Sequence, residues 1–169
     1  MIIFFLALEL NNEIKHYQEL LLNLSQLTSL SFYIFSFQGD FGANKEIVLK
    51  LKQNDLLQHE NKALSLSAKK FFYLSWLDIY NVEKDYDSMY DLVLKAITYA
   101  KKATDINELY AKTLLLMYER LEFVCNNLLR FDESLKAIEL IENFDIPKAY
   151  ENNSFFYRVI TISTKAKRI

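Results

Sequence analysis

The sequence predicts an all-α chain of antiparallel helical hairpins stacked into a solenoid of about eight helices. Three observations lead there. Glycine and proline are scarce, with Gly 2 and Pro 1 in 169 residues, and strand-and-turn folds lean on those residues in their hairpins. Apolar side chains return at i, i+3, i+4 and i+7 along most of the chain, which gives a helix one stripe to bury. A polar turn followed by an aromatic residue also recurs. Gly39-Asp40-Phe41, Lys84-Asp85-Tyr86 and Leu129-Arg130-Phe131 put the aromatic at 41, 86 and 131, a constant spacing of 45 residues. A fixed period of this size marks stacked supersecondary units. The alternative arrangement is an irregular helical bundle with a chance repeat. With hydrophobic residues at 51%, the chain suffices for one domain over residues 1–169.

Taken in order, residues 1–22 read as a helix interrupted or bent near Asn11-Asn12, with Ile14, Tyr17, Leu20 and Leu21 at helical spacing. A second helix over 24–38 follows. The uncharged run Leu20–Gly39 reads as a central helix buried on most sides, because its many Ser, Thr, Asn and Gln residues would lack partners in a bilayer. Both glycines, Gly39 and Gly42, break it, and Asp40 can cap the next helix over 43–57. After the polar connection Gln58–Lys62, a helix over 63–82 carries a wide stripe including Phe72, Trp76, Ile79 and Tyr80. The turn Glu83–Asp85 joins it to a helix capped by Asp85, with Met89, Tyr90, Val93, Leu94, Ala96 and Ile97 facing back. Asp105 with Glu108 resembles a capping box opening a helix over 106–128. A helix over 132–143 uses Leu135, Ile138 and Ile141, and Pro147 suits the first turn of a last helix over 147–167. Phe41, Tyr86 and Phe131 are expected to plug the space between hairpins.

Composition excludes several function classes. A net charge of −2 with interspersed signs gives no basic face for nucleic acid, and the terminal Lys165, Lys167 and Arg168 read as a solvated helix end. A single cysteine, Cys125, excludes an internal disulfide framework, fits a reducing, cytoplasmic compartment and reads as an inert core thiol. His16 and His59 have no metal-ligand spacing and are expected on the surface. No Gly-rich phosphate loop or nucleophile elbow is present, and Asp78, Asp85 and Asp87 read as caps and solvated charge, so neither an enzyme nor a cofactor is expected. Met1–Leu10 lacks the basic start and cleavage site of a secretory signal. A membrane association is not expected.

The pattern resembles the tetratricopeptide repeat. In Leu74–Ala100 the late aromatic of the first helix is Tyr80, the turn is Lys84-Asp85-Tyr86, Ala96 stands at the small position of the second helix, and Met89 replaces the other one. The next unit gives Leu121, Cys125, Phe131 and Ser134 at the same places, and the one before gives Phe35, Gly39, Asp40 and Phe41. The period of 45 exceeds the family's 34, which implies longer helices and a less regular superhelix. The resemblance implies a right-handed superhelix. Long, degenerate repeats of this kind look like the sensor domains of bacterial peptide-pheromone-binding regulators, which hold a short extended peptide. The DNA-binding helix-turn-helix of that family is not seen ahead of the repeats. The chain starts and stops inside repeat units, and the expectation is a fragment of a longer protein or unusual end caps.

If the first helix of each hairpin lines the concave wall, its outward positions are Phe71, Leu74, Asp78 and Asn81, then Leu116, Glu119, Phe123 and Asn126. Asn81 and Asn126 share the repeat spacing, and a carboxamide supplies both a donor and an acceptor to an extended peptide backbone. The alternative makes both simply residues at helix C-termini. Tyr33 and Phe37 occupy the matching wall of the first unit. Binding of a peptide or protein segment is therefore the leading expectation. Self-association as a homodimer through Phe155, Phe156 and Tyr157 is the rival, because no further repeat follows to cover that cluster.

Overall fold

The computed structural model describes residues 2–36, 41–106 and 111–144, and among these the chain is all-helical, with seven α-helices and no strand. The chain divides into two compact units, Met1–Asp85 and Tyr86–Ile169. The boundary falls between Asp85 and Tyr86, at the end of the Glu83–Asp85 turn.

The first unit is built on α1 (Ile2–Ser36), α2 (Phe41–Lys52), α3 (Asp55–Gln58) and α4 (Leu66–Glu83). Two expectations for α1 are corrected. The two helices expected over 1–22 and 24–38 are one continuous helix with no interruption at Asn11-Asn12 or Asn23, because an asparagine costs a helix interior under about 1 kcal/mol relative to alanine, too little to end it. Nor is it buried on most sides. Its chief partner is α4, and among its described side chains only the stripe Asn23, Leu27, Ser31 and Ile34 is buried, as for a helix packed from one direction. Among the described residues no helix is long and apolar enough to cross a membrane.

The helix expected over 43–57 stops at Lys52, where Asn54 prefers a cap to a helix interior. Its Oδ1 accepts from the Leu56 N–H at 3.0 Å and opens α3. A short 3-10 turn, Glu60–Lys62, leads into α4, whose N-cap Ser65 accepts from the Ala68 N–H at 3.1 Å. Side chains hold this irregular connector in place. The Asn23 carboxamide donates to the Lys62 carbonyl at 2.9 Å and accepts from the Leu64 N–H at 3.2 Å, and the Trp76 indole N–H donates to the Leu57 carbonyl at 2.9 Å. The Lys52 ammonium donates to both oxygens of Glu83, at 3.1 and 3.0 Å. As expected for a core helix, α4 buries Ala68, Phe72, Tyr73, Leu77, Ile79 and Val82.

The second unit contains α5 (Tyr86–Ile106), α6 (Ala111–Asn127) and α7 (Phe131–Glu142), with α6 packed on both its neighbours. Helix α5 buries Met89, Val93, Ala96, Ile97, Ala100 and Ala103, while Leu94 faces out. The capping box at Asp105 is not realised, because α5 continues through Asp105 to Ile106. On α7 the buried stripe is Ser134, Ala137 and Ile138, and Leu135 is exposed. Small side chains at 134 and 137 turn that face toward α6, one position from the expected one. The last expected helix, over 147–167, lies outside the described residues.

The 45-residue period survives as backbone geometry. Helices α5 and α7 begin at Tyr86 and Phe131, 45 residues apart, and Phe41 is the first described residue of α2, the residues before it lying outside those described. Helices α4 and α6 end in the same way: the Lys84 N–H donates to the Asn81 carbonyl at 3.2 Å and the Asp85 N–H to Tyr80 at 3.0 Å, while the Leu129 N–H donates to Asn126 at 3.2 Å and the Arg130 N–H to Cys125 at 2.9 Å. These paired bonds form a Schellman motif, with the left-handed residue just past the helix. Lys84 and Leu129 both hold φ 59. The anchors themselves do not all plug a core. Phe131 is 59% exposed, Tyr86 is half-buried, and the Phe41 side chain lies outside those described.

Candidate functional site

The residues expected on a peptide-binding wall fall on three helices of two units. Tyr33 is exposed on α1, and Phe37 lies outside the described residues. On α4, Phe71, Leu74 and Asn81 are half-buried, whereas Asp78 is buried within the unit rather than displayed on an open wall. On α6, Leu116, Glu119, Phe123 and Asn126 are all half-buried. Their i, i+3, i+7, i+10 spacing sets them on one face of the helix, so α6 is where the structure brings expected site residues together.

Each of these α6 side chains has a definable state. The Phe123 ring meets the Tyr86 ring edge-on at 6.3 Å between centroids, a favoured aromatic geometry. The Asn126 Nδ2–H donates to Glu122 Oε1 at 2.6 Å, and its Oδ1 accepts from the Ser134 hydroxyl at 2.9 Å. That chain of bonds ties α6 to α7. Burial pushes the Glu119 carboxyl up from 4.5 to about 7; the Arg120 guanidinium pulls it down and the Glu122 carboxylate adds to the rise. Near neutral pH this carboxyl is therefore a donor in part of the molecules and an acceptor in the rest.

Asn81 and Asn126 occupy the same place in the two helix-ending motifs, each giving its backbone carbonyl to the left-handed residue that follows. Their carboxamides are not equivalent, because that of Asn126 is engaged at both ends inside the second unit. The two-point grip on extended backbone expected of this pair does occur in the molecule, at Asn23, on the chain's own Lys62–Leu64 segment.

Sequence reasoning missed the polar groups behind the α6 face. Glu122 and Ser134 are buried. Glu122 stands four residues before Asn126, the spacing at which helix side chains meet, and that signal could have found it. Beside them the Arg130 guanidinium lies 4.2 Å from the Tyr90 ring centroid, and the Tyr90 hydroxyl donates to Glu133. That hydrogen bond holds the phenol above its ordinary pKa. A shallow crevice opens farther along α6 and α7, lined by Tyr118, Lys136, Glu139, Leu140, Asn143 and Phe144.

Nucleophilic chemistry finds little support on this face. Cys125 is fully buried, and desolvation first, then Glu133, pushes its thiol up to about 11, so it carries negligible thiolate near neutral pH. His16 and His59 are exposed, and among the described residues no group of His, Cys, Asp and Glu could hold a metal ion. The expected contact Phe155, Phe156 and Tyr157 lies outside the described residues. Compared with protein-family models, curated proteins and solved structures, the chain has no significant match in any of the three.

Proposed function

We propose that this chain is a non-catalytic helical-repeat module that binds a peptide or protein segment, with its hairpins stacked in a right-handed, tetratricopeptide-like superhelix. The observation that carries this reading is the repeated helix end: α4 and α6 close with the same hydrogen bonds and the same positive φ, 45 residues apart. Repeated helical units are suited to long, continuous binding surfaces, since each unit presents equivalent positions to successive parts of one ligand. The α6 face supplies the recognition chemistry. Phe123 and Leu116 offer apolar contact, Glu119 is a carboxyl that can donate or accept, and Asn126 is already oriented by Glu122 and Ser134. A peptide-sensing regulatory role in the cytoplasm is the biological setting that the repeat resemblance suggests. The alternative, assembly through Phe155, Phe156 and Tyr157, has no observation among the described residues in its favour.

The test is selection of peptides from a random displayed library on the purified chain, followed by anisotropy titration of the best binder. Phe123→Ala is expected to weaken it about tenfold, equivalent to 1.4 kcal/mol, with the helical circular dichroism retained. A peptide held equally well by the Phe123→Ala chain, or no enrichment over an unrelated helical protein, contradicts the reading.

A further inference from the structure

Of the two polar side chains on the α6 line, Asn126 is satisfied and Glu119 is not. The Asn126 carboxamide is bonded at both ends, and the neighbouring carboxyls are occupied as well, Glu122 accepting from Asn126 and Glu133 from Tyr90. Among the described residues, half-buried Glu119 makes neither a hydrogen bond nor an ion pair. The charges that act on it there are Arg120 and Glu122, opposite in sign and both on α6 itself; α5 and α7, the helices packed against α6, bring none. Its flanks along the line are apolar. Leu116 stands three residues before it and Phe123 four residues after, the spacings at which helix side chains are neighbours, and from Leu116 to Phe123 the helix rises about 10 Å. The Phe123 ring is itself held by its edge-on contact with Tyr86.

Resting on the peptide-binding reading, we propose that Glu119 is the specificity-determining residue of the α6 face and selects a Lys or Arg side chain of the bound segment, whose methylene stem lies against Leu116 and Phe123 while its cationic head meets the carboxylate. A long basic side chain matches this line because it is apolar along its stem and charged only at its tip, and a cation beside an aromatic pair is attracted by the ring faces as well. The selection follows from what the carboxyl lacks. A carboxylate removed from water without a partner is costly, and the free chain avoids that cost by keeping the proton on Glu119 up to about pH 7. A segment that brings an ammonium or guanidinium takes the place of that proton, which passes to solvent. An uncharged segment covers the same carboxyl and gives it no countercharge, and an acidic one adds like charge, so both are disfavoured.

The experiment selects binders to the purified full chain from two displayed libraries of random peptides, one complete and one made without Lys and Arg. Only the complete library is expected to yield binders. In the best of these, replacement of its basic residues one at a time by norleucine should find one whose loss weakens binding about tenfold by anisotropy, and the same replacement should have no effect on binding to Glu119→Gln, which keeps the side chain's shape and removes its charge. Because the cation displaces a proton, the affinity of the wild type for this peptide should fall about tenfold from pH 8 to pH 6, with Glu119→Gln nearly level. Circular dichroism melts check that Glu119→Gln is folded at both values. Equal enrichment from the two libraries overturns the proposal and leaves the peptide-binding reading standing. So does a norleucine effect as large in Glu119→Gln as in the wild type, or a level pH profile in the wild type. No enrichment from either library overturns both.

Discussion

The ends of α4 and α6 are built from one backbone and two sets of side chains. Both close with the same pair of hydrogen bonds, and both place a non-glycine residue, Lys84 or Leu129, at φ 59. After each, a helix starts on an aromatic residue, Tyr86 or Phe131, whose third residue on, Met89 or Ser134, is buried. Beyond that the two diverge. The first end is fastened by the Lys52–Glu83 ion pair to α2, the second by the Asn126–Ser134 bond to α7 and by Arg130 stacked on Tyr90. The repeat is therefore a rule about where the chain turns, and the side chains around each turn answer to local packing.

The comparison can be broken most strongly in the cores of the two helices. Leu77→Ala in α4 and Met117→Ala in α6 each empty a fully buried site and are expected to cost about 2–5 kcal/mol in urea unfolding. A cost under 1 kcal/mol at either site would mean that helix lacks the packed environment assigned to it. Next in size is the asymmetry at Glu119, which has no titrating counterpart at Leu74. Because its folded pKa is raised from 4.5 to about 7, its contribution is fully present below pH 4.5 and is lost as pH rises through 7. Glu119→Gln should remove that slope and leave the variant more stable by roughly 2 kcal/mol at about pH 8, the full shift being discounted for partial exposure. Parallel melts of both chains between acidic and alkaline pH test this; equal slopes would contradict it.

A smaller difference separates the aromatic residues after the turns. Tyr86→Ala loses a half-buried ring and its contact with Phe123 and should cost about 1–2 kcal/mol, less than for a ring fully enclosed between hairpins. Phe131→Ala should cost under about 1 kcal/mol because the ring is largely exposed. The reverse order in thermal melts would show that Phe131 is the one enclosed. Smallest are the two left-handed positions. Lys84→Gly and Leu129→Gly should each stabilise by about 0.5–1 kcal/mol, since glycine adopts positive φ without a Cβ clash, offset in part by its freer unfolded chain.

Much of the helical framework was legible in the sequence, because scarce glycine and proline, the helical spacing and the 45-residue period all act locally. The positions of α4, α5 and α7 and the turns at Lys84 and Leu129 follow from it. What failed depended on tertiary partners. The Asp105–Glu108 pattern has the composition of a cap, yet α5 continues because its alanine face at 96, 100 and 103 stays buried. Hydrophobicity alone favours Leu135 over Ser134 on the buried face, but close approach of α7 to α6 favours the smaller residue. Of the site, the α6 line Glu119, Phe123 and Asn126 and the i, i+4 pair Glu122–Asn126 could be read from spacing; the burial of Asp78 and the Asn126–Ser134 bond could not, because they depend on packing between helices.

The central claim is the recurrence of one helix-ending geometry, and backbone NMR tests it most directly. Three-bond HN–Hα couplings and 13C shifts should place both Lys84 and Leu129 in the left-handed region, with the Asp85 and Arg130 amides protected from exchange by their bonds to Tyr80 and Cys125. A negative φ at either residue, or a freely exchanging amide at Asp85 or Arg130, would show that the two ends are not the same structure and would remove the repeat on which the proposed binding function rests.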